Sequence, residues 1–120
     1  MRPRQNAQED YLIRMIQQAA EVLRRLRHRL SGAGGSPEEN RREAAATVEL
    51  LLGVQSSTLA MLDPVSAVTL VGRADVVHVW AALLDIEAGA IESDDAVATR
   101  LRGRAQSLRD AAAALWGVSS

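Results

Sequence analysis

Leu12, Ile16, Ala19, Leu23, Leu26 and Leu30 are separated by four, three, four, three and four residues. That spacing gathers apolar side chains on one face of an α-helix and would scatter them over both faces of a strand. It forms a heptad seam of nearly three repeats. Ile13, Met15, Ala20 and Val22 flank the seam and widen its apolar face. A face that wide can meet two neighbours at once, the chain's own core and a second copy of the chain. We therefore expect a homodimer or partner face at Leu12, Ile13, Met15, Ile16, Val22, Leu23 and Leu26. The competing reading is a wide helix face that serves the core alone.

The rest of the chain is punctuated as a series of helices. Residues 1–5 read as a polar tail, and Asn6 with Glu9 three residues on has the pattern of a capping box. The first helix is expected to end near Leu30, at the glycine-rich turn of residues 31–36, SGAGGS. Ser36 then suits an N-cap, Pro37 the first helical position, and Glu38 and Glu39 the positive helix end. The second helix carries Ala45, Val48, Leu51 and Leu52 and weakens at Gly53. The stretch VQSSTLAML fits either a helical extension or a loop with one short turn. Asp63-Pro64 opens a short helix that Gly72 closes. Asp75 is expected to cap VVHVWAALLDIEAGAI, and Ser93 to cap a last helix running from Asp94 to about Trp116.

These segments predict an all-α fold: one compact bundle of four to five helices spanning residues 1–120. Val76, Val77, Val79, Trp80, Leu83, Leu84 and Ile86 surround most of the fourth long segment, which places that helix at the centre. Val97, Leu101, Ala105, Leu108, Ala112 and Leu115 form the stripe by which the last helix docks. Composition agrees with this architecture. Phe is absent and only Tyr11, Trp80 and Trp116 are aromatic, so Leu, Val, Ile and Ala must fill the interior, which suits close-packed helices.

The same inventory removes whole classes of chemistry. No Cys is present, so disulfides and thiolate catalysis are excluded. Ser and Thr lie in turns and caps without a paired His, and no nucleophile–base constellation emerges. His78 shares a helix edge with Asp75 and Asp85, but those carboxylates are about 15 Å apart along the axis. A metal there would need ligands from elsewhere, and a solvated polar edge is the simpler reading. His28 lies in a run of Arg that disfavours its charged form. The acids of IESDDA lack the order of a calcium loop, and SGAGGS lacks the ending of a phosphate loop. We expect no enzyme, no catalytic residue, no metal and no cofactor.

Arg24, Arg25, Arg27 and Arg29 raise a nucleic-acid alternative. Against it, they occupy the last turns of a helix, where the dipole favours cations. They point around the helix axis rather than along one stripe, and no aromatic side chain lies among them to stack bases. Glu21 can pair with Arg25 four residues on. The net charge is -1, so no overall field draws polyanions. No apolar run approaches the ~20 residues that cross a bilayer, and the N-terminus lacks a secretory pattern. The expected compartment is a bacterial-type cytoplasm.

Residues Asp10, Tyr11, Leu12, Arg14, Ile16 and Gln18 carry a resemblance. The stretch EDYLIRMIQQAAEVLRRL is similar to the first helix of a family of small bacterial all-helical proteins of uncharacterised function. ELLLGV resembles the family's Leu-Leu-Gly element, LDPVSAVTLVG its short capped helix, and ALLDIEAGAIESDDAVATRLRGRAQSL its closing hairpin. The resemblance implies an all-helical fold and lends no catalytic residues. The hairpin also resembles one tetratricopeptide unit: Trp80, Leu83 and Ala96 match its pattern, whereas Leu84, Glu87 and Arg100 depart from it. One such unit is not an array. The resulting expectation is a non-catalytic protein–protein interaction or scaffold module acting as a homodimer.

Overall fold

The computed structural model describes residues 3–32, 35–91 and 95–117, with side chains from residue 7 onward. It is an all-α bundle of four long helices and two short ones: α1 Pro3–Ser31, α2 Pro37–Leu52, α3 Ser56–Met61, α4 Pro64–Val71, α5 Ala74–Gly89 and α6 Ala96–Trp116. No strand occurs among the described residues. One 3₁₀ turn, Gly53–Gln55, joins α2 to α3. VQSSTLAML is therefore a tight turn followed by a short helix.

Helix α5 is the hub. Its Val76, Val77, Trp80, Ala81, Leu83, Leu84 and Ile86 are buried on several sides at once. Helices α1, α2 and α6 each pack against it, α6 most extensively, as the second arm of a helical hairpin. Fully buried Leu26, Leu59, Leu83 and Leu108 are the largest pieces of the interior, each worth roughly 1.5–3 kcal/mol relative to exposure. Small residues set the spacing between the last two helices. Ala98, Ala105 and Ala112 repeat every seventh residue on α6 and are completely buried, as are Ala81 and Ala88 on α5. An alanine seam lets two helix backbones approach more closely than leucines would allow.

That seam differs from the predicted stripe at both ends. Ala98 replaces Val97 as the fully buried residue, and Leu115 is exposed while Trp116 packs on the core. At the first of these ends, the predicted 97–101–105 takes two successive four-residue steps and drifts around a helix of 3.6 residues per turn, whereas 98–101–105 alternates three and four.

The caps also sort into matches and corrections. The Ser36 hydroxyl accepts from Glu39 N at 3.1 Å and the Asp63 carboxylate from Ser66 N at 3.1 Å, each one residue before a proline. Hydrogen bonding by Ser66, from its side chain first and its backbone N–H second, holds the Asp63 pKa below its usual value. Gly72 closes α4 in the left-handed conformation at φ 74°, which an L side chain adopts only at a cost. Asn6 caps nothing, because the helix already begins at Pro3. Asp75 lies inside α5, whose N-cap is Arg73. Asp95 caps α6, accepting from Val97 N at 2.7 Å; Ser93 and Asp94 lie outside the described residues.

One further reading changes. The helical run Pro37–Met61 is, by length and composition, long and apolar enough to cross a membrane, with a mean hydropathy of 1.2 over its most apolar window. Gly53, at φ 68°, breaks the run, and Glu49 faces solvent within it. Only 22% of that window is buried. Most of this apolar run is thus left uncovered.

Candidate functional site

The two faces of α1 that the seam suggested have different fates. Leu23 and Leu26 are buried in the chain's own core, and Ile16 and Val22 pack against its edge. Leu12 lines a crevice with Leu51, Leu52 and Val76. Met15 is half-buried, and Ile13 and Leu30 stay exposed. Ile13 and Met15 fall on opposite flanks of the seam, since two residues span about 200° of a helix. The seven residues therefore do not form one partner surface; the seam is spent on the interior.

The arginines are largely neutralised. Arg29 Nη1 and Arg25 Nη2 donate to the two oxygens of Glu43 on α2 at 2.6 and 3.1 Å. Arg24 pairs with Glu21 at 2.6 Å, so Glu21 serves the third residue on rather than Arg25. Among the described residues, Arg27 alone of the four has no acidic partner. Desolvation pushes the Glu43 pKa up, but hydrogen bonds from Arg29 and Arg25 outweigh it and leave the carboxyl below its ordinary value. Its contribution to stability is present above the ordinary glutamate pKa and fades as pH falls through the lowered one.

The polar edge of α5 is similarly occupied. Asp75 accepts from Arg73 Nε and Nη2 at 3.0 and 2.9 Å, and Asp85 accepts from Arg109. Both carboxylates beside His78 are thus turned to arginines. Glu87 is the exception. Burial pushes its pKa up, with Arg41 pulling it partly back. A carboxyl raised in the folded state favours folding below its unfolded pKa and loses that contribution as pH rises through the folded value. Glu87→Gln should therefore raise the unfolding midpoint by about 2 °C near neutral pH, the half-exposed side chain limiting the gain. The difference should close below about pH 4, where Glu87 is protonated in both the folded and the unfolded chain. Thermal scans across that range check the sign.

Two surface features remain, on opposite flanks of α2. The first is its border with α1. The Arg25 and Arg29 contacts with Glu43, and the approach of Leu12 to Leu51 and Leu52, fix the two helices as antiparallel. The rows that bring Arg29 and Arg25 to α2 continue, seven residues at a time, as Val22 and Met15 and as Gln18 and Tyr11. Leu50, seven residues after Glu43, shares the α2 face that meets α1. Tyr11 is 62% exposed and Leu50 51%. An apolar strip therefore runs along the α1–α2 border on the surface.

The second feature is a groove of about 330 Å³. Helices α2 and α6 both pack on α5 without packing on each other, and the gap between them exposes a floor of Trp80 and Leu84. Val48, Leu52 and Ala60 form one wall, and Val97 and Leu101 the other. Arg100 and Arg104, one turn apart on α6, stand at its rim. The Arg104 guanidinium lies 5.6 Å from the Trp80 ring centroid, a cation–π distance, and donates to the Leu59 carbonyl at 2.8 Å. Desolvation lowers the Arg104 pKa, and the nearby Asp63 charge opposes that shift. Sequence reasoning missed this site because Trp80 reads as core. The available signal was the pair Arg100 and Arg104 flanking Leu101 on a helix face otherwise apolar.

No protein-family model, no curated protein and no solved structure matches the chain, so these residues alone carry the functional argument.

Proposed function

We propose that this protein is a non-catalytic interaction module that acts as a homodimer in a bacterial-type cytoplasm, pairing through the α1–α2 border. The observation that carries the reading is apolar surface left uncovered: only 22% of the apolar window within Pro37–Met61 is buried, and at the border Tyr11 and Leu50 face outward. Contiguous exposed apolar surface of this kind marks contact sites. Surface area points the same way. The chain exposes 7460 Å², against roughly 6300 Å² expected for a monomer of this mass. The excess is of the order that a standard interface removes from one partner, about 800 Å². The border rows retain Met15 and Val22 from the expected face and add Tyr11 and Leu50. The α5–α6 hairpin, read as a single tetratricopeptide-like unit, acts in this proposal as a packing solution that holds the face rigid.

Light scattering on a sizing column tests the proposal. The chain should elute with a mass near twice 12.9 kDa at low and high salt, because apolar contacts are not screened. Tyr11→Glu with Leu50→Glu should give the single-chain mass with the helical circular dichroism unchanged, since both side chains already face solvent. A wild-type chain that is monomeric at tens of micromolar, or a double variant that remains dimeric, refutes the assignment. Ultraviolet ratios across the same peak report any bound nucleic acid.

A further inference from the structure

We propose that the groove over Trp80 binds a small amphipathic carboxylate: an acyl chain lying between α2–α3 and α6, with its head group at Arg100 and Arg104. Shape, lining and charge converge on this chemistry. Apart from Ser56, the walls and floor are aliphatic or aromatic, so the body of the ligand is apolar. A methylene displaces about the volume of a liquid water, near 30 Å³, so 330 Å³ accepts a chain of about ten carbons. Apolar pockets with a few convergent polar groups are the usual form of small-molecule sites.

The rim selects the head group. Arg100 is exposed and forms no ion pair among the described residues. Arg104 is held in place by the Leu59 carbonyl and the Trp80 ring, and Asp63 is the acid close enough to act on it. Among the described residues, one carboxylate against two guanidiniums thus leaves a cationic rim. A guanidinium fixed before the ligand arrives loses less freedom on binding. This site and the α1–α2 border share Leu52 but otherwise use different residues: Val48 lines the groove, whereas Glu43 contacts α1.

The test uses decanoate, below its micelle concentration, with the full chain. In a Trp116→Phe variant, Trp80 is the only tryptophan and reports the groove floor. Decanoate should change its fluorescence saturably, and affinity should rise about fourfold per methylene from hexanoate to decanoate. Decyltrimethylammonium should bind at least about tenfold more weakly, and Arg100→Glu should weaken decanoate about tenfold while leaving decanol unaffected. Ala60→Phe fills the groove from an exposed wall position without entering the core. It should abolish decanoate binding, read by calorimetry, at an unchanged unfolding midpoint. Absence of saturation, equal binding of the cationic and anionic chains, or undiminished binding to Ala60→Phe would each overturn the proposal.

Discussion

Leu83→Ala is expected to lower the midpoint of thermal unfolding by about 10–15 °C, the largest effect of any single substitution considered for this chain. Leu83 is fully buried at the middle of α5, where α5 is the helix on which the others pack. Truncation removes the transfer free energy of its side chain and leaves a cavity that several helices would have to move to fill, for about 3–4 kcal/mol. At about 2 cal/mol/K per residue, each kcal/mol shifts the midpoint of a chain this size by about 4 °C. The total stability of such a domain is only about 5–15 kcal/mol, so the loss is a large fraction of the whole. Differential scanning calorimetry at one fixed protein concentration measures it, because an associating chain has a concentration-dependent midpoint. A shift under about 4 °C would mean that α5 is not the rigid centre described above.

The second large effect has the opposite cause. Ala105→Leu adds volume where none is free. Ala105 is completely buried, midway along the seam of Ala98, Ala105 and Ala112 that faces α5. The longer side chain must either leave a favoured rotamer or push α6 outward, for about 1–3 kcal/mol or more, or about 4–12 °C. Ala113→Leu is the control. Ala113 lies on the exposed side of α6, and leucine and alanine have similar helix propensities, so its midpoint should stay within about 2 °C. Equal effects at the two positions would show that the interhelix distance is not set by the alanines. Because α6 forms one wall of the groove over Trp80, Ala105→Leu should also alter decanoate binding, and Ala113→Leu should not.

Much of this was legible in one dimension. The heptad spacing of residues 12–30, the proline-led caps at Ser36 and Asp63 and the closing glycine at Gly72 are local signals, and local backbone chemistry honours them. The central place of α5 was equally readable, because a helix apolar nearly all round has nowhere else to go. The caps that failed, Asn6 and Asp75, failed for a common reason. A capping residue type recurs every few positions, and the choice among candidates depends on how far the neighbouring helices can support another turn. Arg73, for instance, precedes α5 and ties down Asp75, so that aspartate serves an ion pair within the first turn of the helix.

What the sequence by itself determined is the material: helices with one apolar face each, an interior of aliphatics and alanine, and no thiol chemistry. Those properties follow from residue type and spacing, which act within a turn or two of chain. Tertiary structure alone decided which apolar residues became surplus. Leu23 and Leu50 are the same residue on similarly apolar helices, yet Leu23 is buried against the bundle and Leu50 is left at the border. It also decided that two helices would straddle α5 without meeting, which turns a core tryptophan into the floor of a groove and brings Arg100 and Arg104 to its rim. Burial is a property of the whole arrangement, set by which faces are consumed by neighbours distant in the chain. Periodicity can mark a face as apolar; only packing determines whether anything covers it.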